Sequence, residues 1–337
     1  MNIDAFQFRD LHPQVSLGTA SDRYAGWIGQ IYSEGKYDGR IKVRTKSVGG
    51  ASFHEEVLPI ESVHEYFEHF SVLELDFTFY QGLMDGKGEQ SPAFYALKRY
   101  REYLDDGDGL ILKVPQQVFA QKLWRKGRFT ENVDYLKPAF FIDRFYEPAT
   151  TLMGSWIKGF VFEQEYQAKK ERVPLEVFLD NLENFFQAVP KDDRYHVEVR
   201  TASYLEKPYF DLLKNLGVGQ VLSHWTWLPS LKTQFLKSGR RFFGRGNHCV
   251  IRLMTPPRLR YAEAYAKAYP FNELKENMLA PSMIPETIDI LQAALSRGIH
   301  AHAIINNRAG GNAPLIARKM AKSFLQSNKE SPKSIEV

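Results

Sequence analysis

Glu198 and Arg200 stand two residues apart in Arg194-Tyr-His-Val-Glu-Val-Arg200, separated by Val199 and preceded by Val197. In an extended segment that spacing puts the carboxylate and the guanidinium on one face, with the valines on the other. Such a pair needs a polar cavity. Lys113, at the end of Gly109-Leu-Ile-Leu-Lys-Val, and Arg252, in Asn247-His-Cys-Val-Ile-Arg-Leu-Met254, are further cations within apolar runs. Guanidinium and ammonium groups that converge either hold a phosphate or carboxylate or are neutralised by the protein's own acids. Glu74, Asp76 and Glu198 are the candidate acids. Both readings stand at this point: an anion pocket, or an internal salt-bridge network.

The elements that would carry these residues follow from hydrophobic periodicity. Val15-Ser-Leu-Gly-Thr-Ala20 reads as a first strand and Val72-Leu-Glu-Leu-Asp-Phe-Thr-Phe79 as a second, with Glu74, Asp76 and Thr78 on one face. Gly109 to Pro115 is the third and Lys158 to Gln164 the fourth, carrying Glu163 or Gln164 at its end. Tyr195 to Arg200 is fifth, Val218 to Ser223 sixth, Asn247 to Met254 seventh and Ile299 to Ile305 eighth. Between them lie helical stripes. Val63, Tyr66, Phe67 and Phe70 repeat at i, i+3, i+4, i+7, and Phe178, Leu179, Leu182, Phe185 and Phe186 form a second stripe. Ser91-Pro92 is a cap and first-turn proline for a helix to about Leu104, Pro138 to Met153 reads as another, and Gly217 closes a short helix from Pro208. Strand and helix alternating eight times predict an α/β fold, a single-domain TIM-like (β/α)8 barrel over residues 1–325, with a disordered tail over 326–337. No GxGxxG follows the first strand, which argues against a dinucleotide-binding sheet.

Several motifs resemble those of the domain-of-unknown-function 72 family. They are Gly18-Thr19 with Trp27, Gly29 and Tyr32; Val72-Leu-Glu74-Leu-Asp76-Phe-Thr78-Phe-Tyr80, where Asp76 replaces the usual Asn; and Lys113, Glu198-x-Arg200 and Arg252 on their strands. Asn306-Asn307 with Ala313-Pro314 and Ala317 resembles the family's terminal motif. Met254-Thr255 departs from its His-Gly, and Phe162-Glu163-Gln164-Glu165-Tyr166 from its Gln-x-Pro-Pro. The resemblance implies a TIM-like barrel and supplies no reaction.

In such a barrel the site lies where the strands end. Strands three, five and seven share a layer, so Lys113, Arg200 and Arg252 are expected to point into one space. Asn306 and Asn307, with Gly310 and Gly311 before the last helix, are expected to add backbone N–H groups for an anion. One function is thus an anionic small molecule held by these residues, with acid/base chemistry by Glu198 assisted by Asp76 or Tyr80. Another is nucleic-acid binding or phosphodiester chemistry. It would use the basic arm within 36–60, where Arg40, Lys42, Arg44 and Lys46 alternate with Ile41, Val43 and Thr45, the basic loops at 122–128 and 237–245, and Trp124, Trp225 and Trp227 as stacking plates. A non-catalytic binding protein is the third.

Composition narrows the setting. A net charge of +4 falls short of a dedicated nucleic-acid binder, and 44% hydrophobic residues permit a sizeable core. No apolar run has the length of a membrane span, and the single Cys249 forms no internal disulfide, so a cytoplasmic protein without membrane contact is expected. No metal or cofactor is predicted. His300-x-His302, at the start of its strand, reads as structural, and Cys249 lies away from the catalytic face.

Overall fold

The computed structural model describes residues 2–125 and 127–330. Twelve strands occur among them: β1 (Val15–Ala20), β2 (Lys42–Val48), β3 (Ala51–Val57), β4 (Val72–Leu75), β5 (Gly109–Lys113), β6 (Lys122–Arg125), β7 (Arg128–Glu131), β8 (Ile157–Glu163), β9 (Tyr195–Glu198), β10 (Gly219–His224), β11 (His248–Leu253) and β12 (His300–Ile305). Eight of them close into a barrel in the order β1-β12-β11-β10-β9-β8-β5-β4. Every pairing around that ring is parallel. This is the expected (β/α)8 order.

Each barrel strand is buried on both faces, which is why these segments read as near-continuous apolar runs. Leu17, Leu73, Leu112, Phe162, Val197 and Leu253 face outward into the shell of helices. Val72, Ile111, Val161, Val221, Val250 and Ile304 fill the barrel interior. Above that apolar plug the inward positions turn charged: Glu74, Lys113, Glu163, Glu198 and Arg252 are all at or next to the strand ends. The apolar layer therefore forms the floor on which the charged layer rests.

The helices begin and end for local reasons. Ser91 Oγ accepts from the Phe94 N–H at 3.3 Å and Pro92 occupies the first turn of Pro92–Arg101. Gly217 takes φ +68 at the end of Lys207–Leu216. The stretch from Pro138 to Met153 is one helical run with a wider turn at Ile142–Tyr146.

Three expectations change. The second barrel strand stops at Leu75 rather than Phe79, because Phe77–Tyr80 coils into a helical turn. The Thr78 hydroxyl fixes that turn by donating to Leu75 O at 3.1 Å and Lys113 O at 2.7 Å, so Glu74 and Asp76 no longer share a pleat. The segment 122–128 is not a plain loop: β6 and β7 pair as a hairpin with Trp124 against Phe129 at 4.9 Å, both largely exposed. Lys126 lies outside the described residues. The last helix spans Ala313–Glu330 and so takes in residues 326–330 of the expected tail, while 331–337 lie outside the described residues.

The basic arm is an antiparallel hairpin, β2 with β3, folded back onto the barrel mouth. Phe53 packs on Tyr265 and Tyr269 at 4.9 and 5.2 Å. Arg44 faces Glu55 across the ladder, Lys46 reaches Glu55 at 3.3 Å, and Arg40 meets Glu61 at 2.5 Å. Its cations are thus partly matched by acids of the same region.

Candidate functional site

A cavity of about 250 Å³ opens at the C-terminal ends of the barrel strands. Its walls include Lys113, Glu163, Arg200 and Arg252 below and Lys46, Asp76, Tyr80, Asn306 and Arg308 above. A larger cavity of about 560 Å³ lies beside it under the hairpin, but the charged groups there are Glu55 and Glu56.

The expected convergence of Lys113, Arg200 and Arg252 occurs, and it occurs on one oxygen. Glu163 Oε2 lies 2.8 Å from Lys113 Nζ, 3.1 Å from Arg200 Nη2 and 2.8 Å from Arg252 Nη1. Arg252, completely buried, also contacts Glu198 through Nη1 and Glu74 through Nε and Nη2, the last two at 2.7 Å. Arg200 Nη2 reaches Glu198 at 3.1 Å. Glu163 and Glu198 are register partners on neighbouring strands, so without the guanidiniums between them they would repel. Lys113, Arg200 and Arg252 against Glu74, Glu163 and Glu198 make an electroneutral cluster, the arrangement in which buried charge is tolerated.

The surroundings tune these groups unequally. Burial alone would raise the Glu163 carboxyl, but the charges of Arg200, Lys113 and Arg252 outweigh it and hold the group well below the usual carboxylate range. At Glu74, burial wins over Arg252 and Lys113 and pushes the carboxyl up. Burial also opposes the charge on Arg252, yet Glu198, Glu74 and Glu163 together raise its pKa well above the normal arginine value. Glu163 is therefore a firmly ionised group and a weak base while the network is intact.

The other sequence candidates separate into two sets. Glu198 is completely buried beneath the cavity, paired to both arginines, and does not line it. Asp76 and Tyr80 do line it, Tyr80 being 65% exposed on the helical turn. Asn306 and Asn307 also line the cavity, but their oxygens are used within the loop: Asn306 Oδ1 accepts from Arg308 N at 3.0 Å, and Asn307 Oδ1 from Trp27 Nε1 at 3.2 Å and Ala313 N at 2.8 Å. Gly310 and Gly311 stand outside the cavity wall, and both their N–H groups donate to Asn307 O, at 3.2 and 2.6 Å. They shape the loop instead. Gly311 has φ +103, and a Cβ there would come 2.4 Å from Glu273 O. Asn307→Ala should cost about 1–3 kcal/mol by stranding two buried donors, measured as a shift in the urea midpoint at unchanged slope.

One site residue, Arg308, escaped the sequence reading, and two were named without this place, Glu163 at its strand end and Lys46 in the basic arm. Glu163 was left as an alternative to Gln164, whose side chain turns to accept from Arg200 N at 2.9 Å. Lys46 arrives from the hairpin and sits 4.9 Å over Tyr265; Arg308 lies 4.6 Å over Tyr261. An Arg two residues after Asn306 at a strand end was the available signal for Arg308. Aromatic rings back the deeper cations too: Lys113 Nζ is 3.8 Å from the Phe79 ring centroid and Arg200 is 4.5 Å from that of Trp225.

Histidines gather at the opposite end of the barrel. His302 Nε2 is 3.3 Å from His248 Nδ1, and Ser16 Oγ is 2.8 Å from His300 Nε2. Among the described residues no group of three His, Cys, Asp or Glu side chains is placed to hold a metal ion. Cys249 is buried, which pushes its thiol up to about 12. Among the same residues no helix is long and apolar enough to cross a membrane.

The comparisons with known proteins agree with this architecture. Two solved structures align over nearly the whole chain. A DUF72 family protein from Thermotoga maritima has a TM-score of 0.55 and 16% identity, covering 94% of this chain and 99% of that one. A DUF72 family protein from Enterococcus faecalis has a TM-score of 0.53 and 14% identity, covering 96% and 100%. At such identities the likeness speaks to the fold. No curated protein matches the chain. The family model described as "Protein of unknown function DUF72" matches residues 16–336, and the chain belongs to that family.

Proposed function

We propose that the barrel mouth binds a small anionic molecule carrying a phosphate or carboxylate. The observation that carries this reading is Arg200. Its side chain is 95% buried on the cavity wall, it is braced on Trp225, and its Nη1 has no hydrogen-bond partner within the protein. An unpartnered guanidinium N–H at that depth is costly unless something else accepts from it. Lys46, Lys113 and Arg308 line the same space, and Phe79, Tyr80, Trp225 and Tyr261 give it walls for an apolar or ring-bearing body. Acid/base catalysis by Glu198 is not part of the proposal, since Glu198 is sealed beneath the cavity; Asp76 and Tyr80 are the groups within reach of a ligand. A cytoplasmic location fits the lone buried thiol.

A thermal-shift and calorimetric screen of phosphomonoesters and carboxylates tests the reading. A binder should lose about ten- to hundredfold in affinity on Arg200→Gln, the worth of one charge-assisted hydrogen bond. No binder in the screen, or equal affinity for wild type and variant, counts against it.

A second reading, single-stranded nucleic acid, is favoured by one feature. Tyr166, Trp225 and Trp227 cluster beside Arg200 at ring separations of 5.9 and 6.0 Å, and Tyr166 and Trp227 are about half exposed. Against it, Lys122, Lys237 and Arg241 in the basic segments pair with Glu131, Glu206 and Asp211. Oligonucleotide binding that weakens steeply between 50 and 200 mM salt would promote this reading; none at low salt removes it.

A further inference from the structure

We propose that Glu163 is a built-in anion occupying the ligand's own subsite, and that it restricts the mouth to ligands with a dianionic phosphoryl group. The inference rests on the reading of the mouth as an anion site and adds the class of anion and the residue that selects it.

Three observations single out Glu163. Lys113, Arg200 and Arg252 all reach the same oxygen, Oε2, which is how a phosphoryl oxygen would be held by three cations. Of the three carboxylates in the cluster, Glu198 stays outside the cavity wall and Glu74 borders it with a fully buried side chain, whereas the Glu163 side chain lines it and is 16% exposed. Glu163 is also the last residue of β8, so its side chain can turn toward the cavity without disturbing the ladder below. With Glu163 turned away, Lys113, Arg200 and Arg252 face Glu74 and Glu198 alone. That leaves one net positive charge and the unpartnered Arg200 Nη1 donor.

The selection follows from competition. A carboxylate tethered to the strand end faces the cations at an effective concentration of roughly millimolar or more. A free monocarboxylate offers the same charge and the same acceptors, so it has no advantage to offset the lost tether. A phosphoryl group carries a charge of about −1.5 to −2 and three acceptor oxygens. It can satisfy Lys113, Arg200 Nη1 and Arg200 Nη2 together, with Arg308 and Lys46 above for a second oxygen or a bridging ester. The aromatic walls suit a ring or sugar attached to it.

The probes are phenyl phosphate and benzoate, titrated calorimetrically at constant ionic strength and pH 7.5 into wild type, Glu163→Gln and Glu163→Asp. Wild type is expected to bind phenyl phosphate and to ignore benzoate. Glu163→Gln removes the competing charge, so phenyl phosphate should tighten by roughly tenfold or more and benzoate binding should become measurable. Glu163→Asp keeps the charge but withdraws the oxygen by one methylene. It should shift both affinities in the same direction by a smaller factor, and it supplies the test if the Gln variant does not fold. If wild type binds phenyl phosphate but both folded variants bind it equally or more weakly, Glu163 is a ligand-holding or purely structural group. The present inference then fails while the anion site stands. If neither wild type nor the variants bind either probe, the anion-site reading fails, and this inference with it.

Discussion

Arg252→Met should lower the unfolding free energy by about 3–5 kcal/mol, because it leaves buried carboxylates without their counter-charge. Arg252 is fully buried and is the group on which Glu74, Glu163 and Glu198 all converge. Methionine restores much of the volume, so the loss is electrostatic rather than a cavity effect. Urea unfolding at pH 7.5 measures it; a loss under about 1 kcal/mol would contradict the network as drawn. The companion variant Glu74→Gln/Glu198→Gln/Arg252→Met removes two stranded charges with the third and should recover a large part of the deficit. Lys207→Ala is the contrast: its pair with Asp211 is exposed, so the urea midpoint should stay where it is.

Acidification from pH 6.5 to pH 4 should remove stability on the order of 3 kcal/mol for each of the buried His196 and His224. Burial pulls the imidazoles of His196, His224 and His300 down from 6.5 to about 4. His302 lies well below its ordinary value, through burial first and then the neighbouring His300 and His248. The unfolded chain takes up protons near pH 6.5, and the folded chain takes them up only near pH 4. These groups therefore contribute nothing above about pH 6.5, and stability is lost progressively as pH falls between the two values. Glu163, with its pKa depressed, adds a further loss in the more acidic range where it would be protonated. Denaturation midpoints across pH 4–8 check the expectation. Phenylalanine at His302 should flatten the acid limb while leaving the neutral plateau within about 1–3 kcal/mol, the ordinary cost of reshaping a packed site. An unchanged acid limb in that variant would assign the loss to other groups.

Most of the histidines lie at the end of the barrel away from the mouth. The apolar layer of Val72, Ile111, Val161, Val221, Val250 and Ile304 separates His196, His248, His300 and His302 from the charged mouth, so His302 can be perturbed with little coupling to it, whereas His224 ends β10 on the mouth side. At the mouth, the same network that stabilises the barrel also sets the chemistry available. It keeps Glu163 ionised, seals Glu198 and leaves Arg200 Nη1 without a hydrogen-bond partner.

The order of the eight barrel strands and the helices between them was legible in the residues, because hydrophobic periodicity and end signals such as Ser91-Pro92 and Gly217 are local properties of the chain. The meeting of Lys113, Arg200 and Arg252 was legible as well, since in a closed parallel barrel the inward positions of alternate strands share a layer. The partners of those cations were not. Arg252 pairs with Glu74, Glu163 and Glu198 across sequence separations of 178, 89 and 54 residues, distances at which no spacing rule operates. The choice between Glu163 and Gln164 depended on strand register, where a shift of one residue turns every side chain to the other face. Asp76 left the expected pleat because Thr78 found Lys113 O on the neighbouring strand, and Lys46 reached the mouth because Phe53 docks on Tyr265 and Tyr269. The sequence by itself determined the barrel and the meeting of Lys113, Arg200 and Arg252 at its mouth. Tertiary structure alone decided that the three cations share one internal carboxylate oxygen, because short-range periodicity places elements while only their packing brings distant charges together.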